Sequence, residues 1–482
     1  MTTPESPMPS TGRGIGPLKP LIASLRGSDT GYAAILAGAM IATNLVALVT
    51  TVAFGRLLGV QGYGQLAAIL STFIILSVPG AALQVATARE GALGHLGEGR
   101  QFATTLRSWT LRLILVTGAV TVVSVLLRHQ IRALIIPKAG GGLDWAAAFV
   151  PPAACIWILL SIQRGALQAI RSYPTVGLSM IAEQIARLVL GVGLAFGLVE
   201  LVKLVGSTIN GSEKAALRVV GAYLGTPLAM ATTALILAGL LAKRLGGHEE
   251  SRTAHSLRTL TAEGWVAILG LALIAVLQNV DVILAQHRLP DKAAGAYAAA
   301  AVAAKVVVWV AIGIGFYLLP EAARRHAAGQ DARPVLFKAL AMTGAVAAPC
   351  IIVYAFFPKL LLRLAFGEAY ANLGASALLE LGVAMSFLAL CYLAVQLLLA
   401  LRQVKFLWIL AFVAVAEVLA LLFLPGGDSI NGFATIVLVV QFVAALGAGI
   451  AAYFASAAPS DGGFAAADGS STTQTPNLAT SE

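Results

Sequence analysis

The sequence predicts an all-α integral membrane protein with twelve transmembrane helices in two six-helix bundles related by a pseudo-twofold repeat. Three observations carry this reading. Only 11% of the 482 residues are charged and 59% are hydrophobic, whereas soluble domains are about a quarter charged. The apolar residues fall in blocks of roughly 20, the length a helix needs to cross a hydrocarbon core about 30 Å thick. Finally, a Leu-rich turn leading into Gly-Tyr or Gly-Ala-Tyr and then an Ala-rich helix start occurs once in each half, at 54–70 and at 284–302.

The spans follow from apolar blocks between charge and turn clusters. In the first half, 32–54 and 65–86 flank the turn GRLLGVQGYG at 55–64. The block 108–127 lies between Arg107 and Arg128. The block 145–163 carries Pro151 and Pro152 and ends before Arg164. The block 175–199 begins after Pro174 and ends before Glu200, and 219–242 lies between Arg218 and Lys243. The second half gives 264–286, 294–319, 336–357, 375–399, 405–424 and 431–454. Proline inside a span removes a backbone hydrogen bond and invites a kink, so Pro79, Pro151, Pro152, Pro227 and Pro349 are expected to bend their helices.

The domain reading is then a disordered N-tail (1–31), a first bundle (32–242), a linker (243–263), a second bundle (264–454) and a disordered C-tail (455–482). Both tails are rich in Pro, Gly, Ser and Thr and cannot bury a core. The first apolar block is too long for a signal-peptide core. Loops on the side of the N-tail hold 18 Lys and Arg and the opposite loops hold 11, with Arg112, Arg187 and Lys305 inside spans. The positive-inside bias puts both termini in the cytoplasm, and the expected location is a bacterial inner membrane.

The net charge of +10 does not point to nucleic acid, because the basic residues are dispersed among short loops. Cys155, Cys350 and Cys391 fall inside spans and read as small core residues, without disulfide or metal-ligand spacing. An enzyme is not expected. A membrane glycosyltransferase needs acids near a metal or a leaving group, and the 55–64 loop has none. No Ser-His-Asp set, Cys-His pair or Walker loop is legible, and no cofactor is implied.

The repeat extends to a second pair of segments, IRALIIPKAGGGLDW at 131–145 and LLRLAFGEAYANLGA at 361–375, each between a third and a fourth helix. Parallel repeats are a common transporter plan with the binding site near the midplane between halves. With GRLLGVQGYG (55–64), RGALQAIRSY (164–173), QNVDVILAQ (278–286), AGAYAAAAV (294–302), LLPEAARR (318–325) and FGEAY (366–370) in this order, residues 32–454 resemble the multidrug/oligosaccharidyl-lipid/polysaccharide exporter superfamily. The polysaccharide flippase (Wzx-like) branch is the most similar. The resemblance implies two bundles around a central cavity, moving lipid-linked glycan from the inner to the outer leaflet for surface polysaccharide synthesis. The alternative is a cation-coupled multidrug antiporter. The lipid II flippase branch usually carries an Arg-Asp pair after its first helix, where this chain has Gly-Val-Gln-Gly at 59–62. The expected partners are a lipid-linked glycan, the bilayer and a coupling ion (H+ or Na+), with the protein a monomer.

Charges at bilayer depth cost about 2.5–3.5 kcal/mol on insertion scales, so each such residue needs a reason. Glu183 and Arg187 are four apart on one helix face, a spacing that suits an ion pair. Arg187 lies about 18 Å into its helix. It either forms that pair or lines the cavity and meets a lipid pyrophosphate. Lys305, about 16 Å into its helix, has no acid three or four residues away and is read as a cavity cation. Asp281, about 24 Å into its helix, is either a partner for Lys305 or a coupling site. Glu417 has no local partner and is either structural or a coupling site. Asn44, Asn279 and Arg56 complete the expected substrate-facing set, with Gln441 as neutral company. Arg112 is expected to snorkel.

Overall fold

The computed structural model describes residues 29–97, 99–205, 210–245 and 257–456. The expected tails and linker lie largely outside these residues. Every regular element among the described residues is a helix, which is what a bilayer demands of a single chain that cannot pair its peptide groups with water. The chain clusters into two compact units, Met1–Gly264 and Trp265–Glu482.

Unit 1 consists of α1 (Asp29–Ala92), α2 (Gly99–Leu126), α3 (Arg128–Ile135), α4 (Asp144–Ala148), α5 (Val150–Ala169), α6 (Tyr173–Leu204) and α7 (Gly211–Leu245). The apolar part of α1, Gly38–Ala92, is 55 residues long, more than twice what one crossing needs. It breaks at Gly59, whose φ of 67° and ψ of 179° are non-helical. The outer turn expected at 55–64 is thus a break at one glycine, the residue that reaches positive φ without a Cβ penalty.

The proline expectation changes in α5. Pro151 and Pro152 sit in its first turn, where the missing N–H has no intrahelical acceptor to lose. They start the helix and do not kink it. Pro79, Pro227 and Pro349 lie inside helices, as expected. The helices α6 and α7 meet through glycine. Gly221 and Gly225 form a small-xxx-small stripe facing the backbone of Leu194 and Gly191. A methyl group at Gly225 would collide with the Gly191 backbone. Close backbone approach of this kind replaces the hydrophobic drive that lipid cannot supply.

Unit 2 holds most of α8 (Leu257–Arg288), then α9 (Asp291–Ala304), α10 (Val306–Ala327), α11 (Arg333–Phe356), α12 (Pro358–Ala365), α13 (Glu368–Gly374), α14 (Leu378–Ala400), α15 (Phe406–Phe423) and α16 (Ile430–Ala455). The span expected at 294–319 is interrupted at Lys305, between α9 and α10. Arg288 closes the far end of α15. Its Nε meets Asp428 Oδ1 at 2.9 Å, and its terminal nitrogens donate to the Leu421, Leu422 and Leu424 carbonyls. Those carbonyls have no intrahelical donor.

Among the described residues, eleven stretches are long and apolar enough to cross a membrane. Counting the two limbs of α1 separately, they make twelve crossings, six per unit. Two local features recur. After its third crossing each unit has a short amphipathic helix, α3 or α12. After its fourth, each turns on an arginine with positive φ, Arg171 at 55° and Arg402 at 53°. The surrounding bonds also match. Ser172 N–H reaches the Leu167 carbonyl as Gln403 N–H reaches that of Leu398, and Arg171 N–H reaches Gln168 as Arg402 N–H reaches Leu399. This is a left-handed helix stop built twice from the same residue type.

Candidate functional site

In unit 1 the polar residues of α5 and α6 meet inside the bundle. Arg164 is 2% exposed and Glu183 is 5% exposed. The Arg164 Nη2 group donates to Glu183 Oε2 at 2.7 Å and to the Ser179 carbonyl at 3.1 Å, while Nε donates to Ser179 Oγ at 3.1 Å. The guanidinium also lies 5.8 Å from the Trp157 ring centroid. This arrangement alters two expectations. Arg164 was assigned to a loop, yet α5 runs on to Ala169 and keeps it buried. Glu183 is the partner of Arg164, not of Arg187 one turn further along.

Arg187 therefore has no direct ion-pair partner. It is half-buried near the middle of α6, its Nε is buried without a hydrogen-bond partner, and among the described residues it makes no ion pair. Glu183, Tyr223 and Tyr63 lie within electrostatic reach of it. Asn44, Arg56 and Arg112 are exposed on unit 1.

In unit 2 the remaining candidates come together. Asn279, Asp281, Lys305, Glu417 and Gln441 are all buried. Lys305 Nζ donates to Asn279 Oδ1 at 3.1 Å, and Asn279 Nδ2 donates to the Ala275 carbonyl at 2.9 Å. Tyr297 O–H donates to Asp281 Oδ2 at 2.7 Å. Gln441 Nε2 is shared between the Leu277 carbonyl at 2.7 Å and Glu417 Oε1 at 3.2 Å. Helices α8, α9, α15 and α16 thus each supply at least one member, and Lys305 stands at the α9–α10 break. Both carboxylates act electrostatically on Lys305.

Three acceptor oxygens in this cluster have no donor: Asp281 Oδ1, Glu417 Oε2 and Gln441 Oε1. Buried acceptors are ordinarily paired. With every group ionised the cluster holds two negative charges against one positive, and one proton on either carboxylate neutralises it. Chemically, it is equipped to hold a proton beside a fixed ammonium. Among the described residues no group of three or more His, Cys, Asp or Glu is placed to hold a metal ion.

Tyr297 and Arg164 were not among the expected site residues. Tyr297 sits in AGAYAAAAV, a motif with no chemistry of its own, and gains its meaning from Asp281 sixteen positions earlier. The signal for Arg164 was its position at the edge of an apolar block, with Ser179 and Glu183 four apart on the next helix.

Two six-helix units with fixed charges buried in each define a polytopic membrane protein. The solved structures similar to this chain share that fold. An inward-facing multidrug resistance MATE family transporter of the MOP superfamily superimposes with a TM-score of 0.66 at 13% identity, over 86% of this chain and 93% of the other. The lipid II flippase MurJ in an inward closed conformation gives 0.66 at 13%, over 86% and 87%. A MOP superfamily transporter from Pyrococcus furiosus gives 0.52 at 15%, over 90% and 96%. These likenesses show the fold. Residues 32–325 match the family described as polysaccharide biosynthesis protein, and the chain belongs to it. No curated protein matches the sequence.

Proposed function

We propose that the protein is a flippase. It moves a polyprenyl-pyrophosphate-linked oligosaccharide from the inner to the outer leaflet of a bacterial inner membrane, by alternating access, for surface polysaccharide synthesis. The observation that carries the cargo assignment is Arg187. Glu183 is bonded directly to Arg164 at 2.7 Å, so two guanidiniums share the field of one carboxylate and the Arg164, Glu183 and Arg187 group carries one net positive charge in mid-span. An anionic headgroup offsets the cost of that charge, and a guanidinium matches a pyrophosphate with two parallel donors. A cationic drug would meet repulsion there. The family match supports a role in polysaccharide synthesis, and a MOP-fold structure described as a lipid II flippase supports a lipid-linked cargo.

The coupling site in this reading is the unit 2 cluster, with Asp281 or Glu417 as the proton carrier. Lys305 already supplies a fixed cation within reach of both acids, which disfavours Na+ in the same place. A proton changes the charge of the cluster by one and so shifts the balance between two conformations if they bury it differently. The alternative, a cation-coupled multidrug antiporter, draws on one observation: the two acids of this cluster outnumber its single ammonium.

The test is the leaflet occupied by lipid-linked saccharide in a deletion strain, probed on intact cells with an impermeant lectin. Finished lipid-linked glycan trapped inside, with an undecorated surface, is the expected result. Normal surface glycan without a trapped intermediate would give the antiporter reading precedence.

A further inference from the structure

The polar clusters leave one feature of unit 2 unused. Helices α11, α14 and α16 enclose an apolar groove of about 320 Å³. Its walls include Phe337, Leu340, Phe387, Leu390 and Tyr453, and Gly449 lies in its lining. A methyl group built on Gly449 meets nothing within 4 Å, so the groove is open above that glycine. Along α16 it runs from Phe442 to Tyr453, roughly 16 Å at 1.5 Å per residue. That is about half of a 30 Å hydrocarbon core, the depth of a single leaflet.

One end of the groove is charged. Arg333 begins α11, one turn before the lining residues Leu336 and Phe337. Its guanidinium stacks 4.2 Å from the centroid of the Tyr453 ring, and its Nε donates to the Tyr453 carbonyl at 3.2 Å. Among the described residues its two terminal nitrogens have no acceptor.

We propose that this groove binds one phospholipid of a single leaflet, with an acyl chain along Phe337, Phe387 and Gly449 and an anionic headgroup phosphate on Arg333. Length and charge argue for this occupant together. The groove is one leaflet deep, and the Arg333 guanidinium stands at its end, where a headgroup begins. The chain's own segment after Ser456 is rich in Ala, Ser, Thr and Gly, and its longest apolar run is the four residues 464–467, too short to fill a slot about 16 Å long. The inference does not depend on the identity of the transported cargo.

Native mass spectrometry of the full-length protein tests it, with dioleoyl phosphatidylglycerol, dioleoyl phosphatidylcholine and undecaprenyl phosphate as probes. The wild type should retain phosphatidylglycerol over phosphatidylcholine. Arg333→Gln should reduce that preference about fivefold, the factor one basic residue is worth at an anionic surface. Gly449→Phe should strip both phospholipids. Gly449→Leu, a smaller group in the same open space, is the companion variant should the phenylalanine prevent insertion. Unchanged retention in the Gly449 variants, or an unchanged preference in Arg333→Gln, overturns the proposal. So does a dimer whose abundance tracks the groove variants, which would assign the groove to a second copy. Displacement of phosphatidylglycerol by undecaprenyl phosphate would hand the groove to a polyprenyl chain and overturn the phospholipid assignment.

Discussion

Lys305 and Asp281 share one buried cluster without touching. The ammonium is held by Asn279 at 3.1 Å, the carboxylate by Tyr297 at 2.7 Å, and their charges act on each other across the gap. Each charge depends on the other's field more than on a direct bond. Removing one leaves its counterpart buried without compensation, which costs about 3–5 kcal/mol. Lys305→Met should therefore lower stability by that order and abolish transport. Adding Asp281→Asn to it should restore part of the stability, because the double variant buries one uncompensated acid fewer. Thermal unfolding of the four proteins in detergent reads the coupling directly. Strict additivity of the two single losses would show that the charges do not interact.

Arg164 and Arg187 should separate stability from transport. Arg164 is consumed by Glu183, Ser179 and the Trp157 face. Arg164→Ala leaves Glu183 buried alone and should cost about 3–5 kcal/mol, seen as loss of folded protein in membranes. Arg187→Gln removes a half-buried cation that has no ion pair, so membrane levels should stay near those of the wild type. Its flipping rate should fall about tenfold or more, the worth of a charged hydrogen bond to the cargo. Wild-type flipping in Arg187→Gln would remove this residue from the cargo path.

The crossings were legible because a bilayer imposes one rule along the whole chain, about 20 apolar residues per helix. Position within a crossing was legible too, which is why Asn279, Asp281, Lys305 and Glu417 stood out singly. Partners were not. Glu183 and Arg187 satisfy the i, i+4 rule, yet Glu183 turns to Arg164 on the preceding helix, where Ser179 helps hold the guanidinium. Helical spacing reports only neighbours on the same helix, and a guanidinium from the next helix can meet the same carboxylate with better geometry. The short helices α3 and α12 were hidden for a different reason. Each is eight residues long, below the window on which an apolar span is read.

Acid pH should reveal one salt-bridge network outside the membrane. Glu321 accepts from Arg324 and Arg325 at 2.8–3.0 Å, and these hydrogen bonds hold its carboxyl down at about 2. A lowered folded-state pKa contributes stability above the unfolded value, near 4.3, and loses it as pH falls through about 2. The network lies at the surface, with the Arg324 side chain 67% exposed, so the effect is small and screened by salt. Between pH 7 and 5 the unfolding temperatures of wild type and Glu321→Gln should run parallel, and below pH 4 they should converge. A difference that persists undiminished between pH 4 and pH 2 would require another acid in the network.

The two left-handed arginines and Gly59 make opposite predictions about positive φ. Gly59 has a φ of 67°, and an added methyl meets nothing within 4 Å. Gly59→Ala should therefore cost about 1–3 kcal/mol from backbone strain alone, with no packing contribution. Arg171 and Arg402 already carry that strain, at φ of 55° and 53°. Replacing either by glycine relieves it, less the 0.4–1 kcal/mol by which glycine frees the unfolded chain. Each replacement should gain up to about 1 kcal/mol. Glycine is the ordinary residue at such a helix stop, so arginine at both equivalent turns points to a use for the side chain. Both arginines are exposed. The matching measurement is transport in the two glycine variants beside their unfolding temperatures. A more stable protein that transports more slowly would show that the strain is kept for the guanidinium. A more stable protein with unchanged transport would leave the arginines as topology markers, retained for their positive charge in the loops.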